Sequence, residues 1–147
     1  MTQRVDLSTV MDRLAIDDLV TGYAVAVDDG DWSAYRALFT DDGRADYRSA
    51  GGAEGPVTEI ADWLAGAMSG FPVRQHLIVN RRVSLEDLGG YPGDRAEVTA
   101  DYVSPMRLDA GTDLVCGGRY RFTLARTGAG WRLSGVVVEE RWRRGPG

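Results

Sequence analysis

The feature that most narrows the fold of this chain is a change of hydrophobic period at Val73. Before it, apolar residues recur at helical spacing; after it, they alternate in long runs. Ile16, Leu19, Val20, Tyr23, Ala24 and Val27 form one apolar stripe, with Ser8 or Thr9 as the expected N-cap. Asp29-Gly30-Asp31 breaks this helix and opens a second, carried by Trp32, Tyr35, Leu38 and Phe39 and ending near Asp41-Asp42-Gly43. Arg44 to Ser49 fits one short strand, followed by a mobile turn at Gly51-Gly52-Ala53-Glu54-Gly55. Pro56, Thr58 as a cap, and Ile60, Trp63, Leu64, Ala67 and Met68 on one face mark a third helix that stops at Gly70.

Four strand-like runs follow, roughly 73–86, 95–108, 114–127 and 131–142. Turn sequences at Gly89 to Asp94, Asp109 to Thr112 and Gly128 to Gly130 separate them. Helices first and consecutive hairpins afterwards give an α+β layout rather than alternating βαβ units. The expected architecture is a cone-shaped barrel, a strongly curved, mostly antiparallel sheet wrapped around three N-terminal helices. A length of 147 residues fits a single domain over 1–147.

Composition removes several function classes. The single cysteine, Cys116, cannot form an intramolecular disulfide, and the only histidine is His76. One of each cannot supply the usual zinc ligand set, so no metal is expected. No Gly-rich phosphate loop joins a strand to a helix, and no nucleophile-elbow motif is present, so no cofactor and no serine-hydrolase chemistry are expected. The net charge of −5, with 17 arginines and no lysine, argues against nucleic acid as a partner. The segment before Asp18 has no continuous apolar run, so neither a signal peptide nor a membrane partner is expected and the cytoplasm is the default location.

Strand parity sorts the candidate pocket. His76, Ile78 and Asn80 share one face of their run; the same parity presents Ala100, Tyr102, Ser104 and Met106, then Gly118, Tyr120 and Phe122. The other face, with Leu77, Val79, Val83 and Val103, reads as an exposed apolar surface that predicts a homo-oligomer. Asp101 falls on that outer side. The four tryptophans read as core anchors, except Trp142, which is expected near the pocket mouth; of Glu139 and Glu140 at most one can face inward.

Several segments carry a resemblance. Tyr23-Ala24-Val25-Ala26-Val27-Asp28-Asp29-Gly30-Asp31-Trp32 looks like the first-helix signature of the SnoaL-like proteins, which share the cone-shaped fold of nuclear transport factor and scytalone dehydratase. Asp46-Tyr47-Arg48-Ser49, Gln75-His76-Leu77-Ile78, Gly130-Trp131-Arg132-Leu133 and Glu140-Arg141-Trp142 extend the match in order over about residues 10 to 143. The resemblance is closest in pattern to scytalone dehydratase and implies an Asp28–His76 pair with Tyr47 holding an oxygen or water, in a homo-dimer or homo-trimer. It departs where a second tyrosine is replaced by Val27, a second pocket histidine by Met106, and a polar serine and asparagine by Gly118 and Tyr120. The pair is kept while the substrate-reading shell differs, so scytalone itself is not the expected substrate.

An aspartate accepting the N–H of an imidazole fixes its tautomer and leaves the other ring nitrogen to move a proton. Catalytic roles are therefore expected for Asp28, His76 and Tyr47, and substrate contacts for Tyr23, Val27, Asn80, Tyr102, Met106, Tyr120 and Trp142. The expected reaction is dehydration, cyclisation or isomerisation of a small hydrophobic hydroxy-ketone such as a polyketide, aromatic or steroid-like metabolite. The alternative is a non-catalytic binder of a hydrophobic small molecule, since one fold serves both uses. An epoxide-opening site like that of the limonene-epoxide-hydrolase-like proteins ranks below these, because Asp101 points away from His76.

Overall fold

The computed structural model describes residues 7–146. Among them, α1 (Leu7–Asp29), α2 (Trp32–Ala37) and α3 (Val57–Met68) pack into the hollow of one sheet. Its strands are β1 (Phe39–Asp46), β2 (Glu54–Pro56), β3 (Val73–Arg74), β4 (Leu77–Asp87), β5 (Pro92–Arg107), β6 (Asp113–Thr127) and β7 (Gly130–Arg144). They run in the order β2-β1-β7-β6-β5-β3, with β4 also on β5. Only β1 and β7 pair in parallel. This is the expected α+β cone.

The stripe of α1 is buried at Ile16, Val20, Tyr23, Ala24 and Val27, whereas Leu14 and Val25 are exposed. Gly30 ends the helix at φ +67°, a conformation that favours glycine. Asp31 then caps α2, accepting the Ala34 amide at 3.0 Å. Ser8 and Thr9 lie inside α1, so neither is its cap, and Thr58 lies inside α3, whose cap position is Pro56. No helix of the described residues is long and apolar enough to cross a membrane.

Three local expectations need correction. The second helix stops at Ala37 rather than near Asp41, because Phe39 pairs with Leu133 in the parallel ladder and the Leu133 amide donates to the Leu38 carbonyl at 2.8 Å. Sheet pairing overrides helical periodicity there. The Gly51–Gly55 segment is tied down: the Tyr47 amide donates to Ala53 O at 2.9 Å and the Gly52 amide to Tyr47 O at 2.8 Å. A Cβ on Gly52 would sit 2.5 Å from the Trp63 ring, so this close approach requires glycine. Finally, the run expected over 73–86 is interrupted at Gln75-His76, between β3 and β4.

Two of the register shifts redirect residues expected at the cavity. Asn80 adopts φ +52°, and the β4–β5 register shifts between Val79 and Arg82. Ile78 lies opposite Tyr102 and faces inward before the shift; Val83 lies opposite Val98 and faces inward after it. A second shift sets Glu140 opposite Gly118 but Trp142 opposite Gly117. Each bulge inverts the alternation beyond it.

Candidate active site

Asp28 occupies the last turn of α1, and its carboxylate reaches the break between β3 and β4. Oδ1 lies 2.6 Å from Nδ1 of His76, while Oδ1 and Oδ2 accept the His76 backbone amide at 3.0 and 2.9 Å. The break follows from this: the His76 amide is bonded to the helix rather than to the sheet. Both side chains are largely buried, at 10% exposure for His76 and 18% for Asp28. With Nδ1 committed to Asp28, Nε2 remains available for proton transfer.

Arg74 fixes the approach of the two helices. Its Nε donates to Val27 O at 2.8 Å, and its Nη1 to Met68 O and Phe71 O at 3.2 and 2.9 Å. One guanidinium thus satisfies carbonyls at the end of α1, immediately before Asp28, and at the end of α3.

The imidazole lines a cavity of about 250 Å³. Most of its wall is apolar or aromatic, including Val27, Trp63, Leu64, Met68, Phe71 and Met106. Tyr47 lies parallel to Trp63, with ring centroids 6.3 Å apart and 19° between planes. Tyr47 Oη is 2.5 Å from Tyr23 Oη and 2.9 Å from Tyr35 Oη. Tyr23 and Tyr47 line the cavity, whereas Tyr35 is fully buried behind them.

Proton counting gives this cluster a direction. Three hydroxyls carry three protons for two mutual bonds, so one proton is left over. Leaving it on Tyr35 would strand a buried donor, whereas Tyr47 and Tyr23 both line the cavity, where Tyr120 stands beside Tyr23 as a further acceptor. Burial pushes the Tyr23 and Tyr47 hydroxyls well above the ordinary tyrosine range, so both are proton donors at neutral pH.

One part of the wall is polar. Arg143 donates to Glu140 through Nη2 at 2.8 Å and Nε at 3.2 Å, and both side chains line the cavity together with Ser104 and Cys116. Burial, reinforced by Glu140, pushes the Cys116 thiol up to about 11. Among the described residues, no three His, Cys, Asp or Glu side chains gather as a metal site.

Of the residues singled out from the sequence, His76, Tyr47, Tyr23, Val27, Tyr102, Met106 and Tyr120 line this cavity, and Asp28 touches it through His76. Asn80 does not: the β4 bulge turns it outward, exposed, with Nδ2 donating to Asp101 at 3.0 Å. Trp142 does not either: the β7 bulge places it outside, over Gly117, at 46% exposure. Val83, expected on the outer face, packs inward against the core. Leu77, Val79 and Val103 are exposed as expected. Arg143 was hidden by the β7 bulge. Glu140 was recoverable from its shared parity with Val136 and Val138, both buried. Ser104 stood on the correct face but passed as one position in an apolar wall.

A family model described as a SnoaL-like domain matches residues 8–137. The uncharacterized protein Rv2910c of Mycobacterium tuberculosis is 32% identical over 129 residues, covering 86% of this chain and 84% of that protein. A candidate aromatic ring hydroxylase from Novosphingobium aromaticivorans is 26% identical with a TM-score of 0.82, covering 93% of this chain and 94% of that one. The fold also matches the hexachlorocyclohexane dehydrochlorinase LinA-type3 from Novosphingobium barchaimii, with a TM-score of 0.81, 19% identity and coverage of 97% and 94%. A candidate scytalone dehydratase from Novosphingobium aromaticivorans matches with a TM-score of 0.78, 16% identity and coverage of 94% and 89%.

Proposed function

The chain belongs to the SnoaL-like domain family, and from that premise we propose that it is a cofactor-independent acid–base enzyme, a lyase or isomerase acting on a small hydroxy-ketone. The observation that carries this reading is the 2.6 Å contact between Asp28 and Nδ1 of His76, with the ring on the wall of an apolar cavity. Two structural neighbours bear the names of eliminating enzymes, a dehydrochlorinase and a dehydratase, which supports an elimination here.

In the proposed reaction, Nε2 of His76 removes a proton from the carbon next to the substrate carbonyl. Asp28 accepts the Nδ1–H and steadies the imidazolium. The enolate oxygen accepts the spare proton of the Tyr23–Tyr47–Tyr35 cluster as a hydrogen bond. Collapse of the enolate expels the β-hydroxyl, which takes the proton held by His76 and leaves as water. Positioned proton transfer of this kind contributes about 10²- to 10⁴-fold, and one preorganised donor at a developing oxyanion about 10²- to 10³-fold.

Size limits the substrate. A dry cavity of roughly 150 Å³ holds benzene, so about 250 Å³ suits one substituted ring or two small fused rings. A four-ring steroid skeleton is too large to be enclosed.

The test is a panel of β-hydroxy-ketones followed by enone absorbance, using wild type, His76→Ala and Asp28→Asn. The expected result is turnover by wild type, none by His76→Ala and a rate lowered about 10²- to 10³-fold in Asp28→Asn, with all three proteins folded. Undiminished turnover by both variants rejects the assignment. Ligand binding with no turnover by wild type assigns the same cavity to a non-catalytic binder.

A further inference from the structure

Ser104 Oγ is the one buried side-chain oxygen or nitrogen among the described residues without a hydrogen-bond partner. The residue is 1% exposed and lines the cavity. Buried hydroxyls are normally bonded, and an unmatched one lowers stability by the equivalent of about five- to a hundredfold in an equilibrium constant. The neighbouring thiol does not answer it: Cys116 Sγ points to the Ser104 backbone carbonyl, at 3.9 Å.

Register places this hydroxyl beside the imidazole. Arg74 pairs with Met106 and Leu77 with Val103, and the Gln75 amide donates to Pro105 O at 3.0 Å. That alignment sets His76 opposite Ser104. On the other side, Ser104 pairs with Cys116, and Cys116 with Arg143. His76, Ser104, Cys116 and Arg143 form one row across three strand pairings, and all four line the cavity. Directly opposed side chains stand about 5 Å apart at the Cβ atoms. A ligand atom in contact with the ring therefore lies within reach of Ser104.

Charge narrows the ligand further. Among the described residues, Arg143 is the one arginine lining the cavity and is bonded to Glu140; behind the wall, Arg74 holds Val27 O and Phe71 O and Asp28 holds His76. The lining arginine is thus already paired, so the wall offers an anionic ligand no free cation to bind.

We propose that Ser104 is a specificity-determining residue, its hydroxyl bonding a second oxygen of a neutral cyclic ligand beside His76 while the tyrosine cluster holds the first. If the ligand is the substrate, which rests on the acid–base reading above, this second oxygen is the departing β-hydroxyl. Ser104 then orients the leaving group, and the ligand class is a neutral cyclic compound with oxygens on alternate carbons.

The test uses inert probes in calorimetric titration: cis-indane-1,3-diol and 1-indanol, which differ by one hydroxyl, and indane-1-carboxylate. Wild type is expected to bind the diol about tenfold more tightly than the mono-alcohol, and both more tightly than the carboxylate. Ser104→Ala should erase the tenfold preference and leave 1-indanol affinity unchanged. Its thermal midpoint should be equal to or above wild type, because an unmatched hydroxyl is removed rather than a bond; a structural serine would lower it. An unchanged preference in Ser104→Ala, or tightest binding of the carboxylate, overturns the proposal. Because no probe can eliminate through an enolate, failure of the catalytic reading leaves this measurement intact, and the reverse also holds.

Discussion

Asp28 holds His76 by both its ring and its backbone: one carboxylate receives Nδ1 at 2.6 Å and the amide nitrogen at 2.9 and 3.0 Å. The same residue thus sets the tautomer of the proposed base and shapes the strand break that presents it. Replacing it should separate the two effects. Asp28→Asn keeps an acceptor but loses the charge, so kcat should fall about 10²- to 10³-fold with little change in unfolding midpoint. Asp28→Ala also leaves the His76 amide unanswered and should cost about 1–2 kcal/mol in chemical denaturation. Equal stability of the two variants would contradict this dual role.

The tyrosine cluster predicts a graded series. Tyr47→Phe removes the central hydroxyl and should lower kcat about 10- to 100-fold, with a smaller effect on KM. Tyr35→Phe removes only a donor behind the cavity and should cost less than Tyr47→Phe. Because burial raises the Tyr23 and Tyr47 hydroxyls above their ordinary range, neither should ionise below about pH 10. The steady-state pH profile should therefore show no alkaline loss from this cluster; such a loss that disappears in Tyr47→Phe would refute the donor role.

Cys116 sits in the polar wall with its thiol pushed up to about 11 by burial and then by Glu140. A raised thiol is neutral below that value, and only the thiolate attacks alkylating reagents. Labelling by iodoacetamide should be slow at pH 7 and rise about tenfold per pH unit to pH 10 without levelling. An exposed thiol levels above about pH 8.5. A plateau near pH 8.5 would show the site to be open and weakly perturbed.

How far the site was legible depended on where alternation survived. The helical stripe of α1 and the change of period at Val73 carried the fold, because both reflect burial on one continuous face. Parity also placed Tyr102, Met106 and Tyr120 on the cavity wall, where β5 and β6 pair without a shift from Arg95 to Arg107. It failed at Asn80 and Trp142, each lying at or beyond a register shift. Nothing in the residue pattern alone announces a bulge at Asn80, apart from the tolerance of asparagine for positive φ. Helical spacing misleads at Phe39 for a different reason: its pairing partner, Leu133, lies 94 positions further along the chain. The unmatched state of the Ser104 hydroxyl is a property of its neighbours in space and has no signature in sequence.

Away from the cavity, Asp12 near the start of α1 locks onto the β6–β7 hairpin and gives the acid limb of stability a specific origin. Arg126 donates to both carboxylate oxygens at 2.9 and 2.8 Å, Trp131 Nε1 adds a bond at 3.1 Å, and the guanidinium lies 4.6 Å from the Trp131 ring centroid. The Arg126 hydrogen bonds hold the Asp12 carboxyl below its ordinary value despite the opposing effect of burial. A depressed folded-state value stabilises the protein above the unfolded value, about 3.9, and that contribution fades as pH falls through the folded one. Asp12→Asn should therefore cost about 1 kcal/mol at pH 7, since Arg126, one-third exposed, keeps the Asp94 carboxylate at 3.3 Å but loses its two-pronged charged partner. The gap between variant and wild type should narrow as urea titrations move from pH 5 to pH 2. A gap that stays constant over that range would show that packing of the Asp12 side chain, and not its charge, fastens the helix to the hairpin.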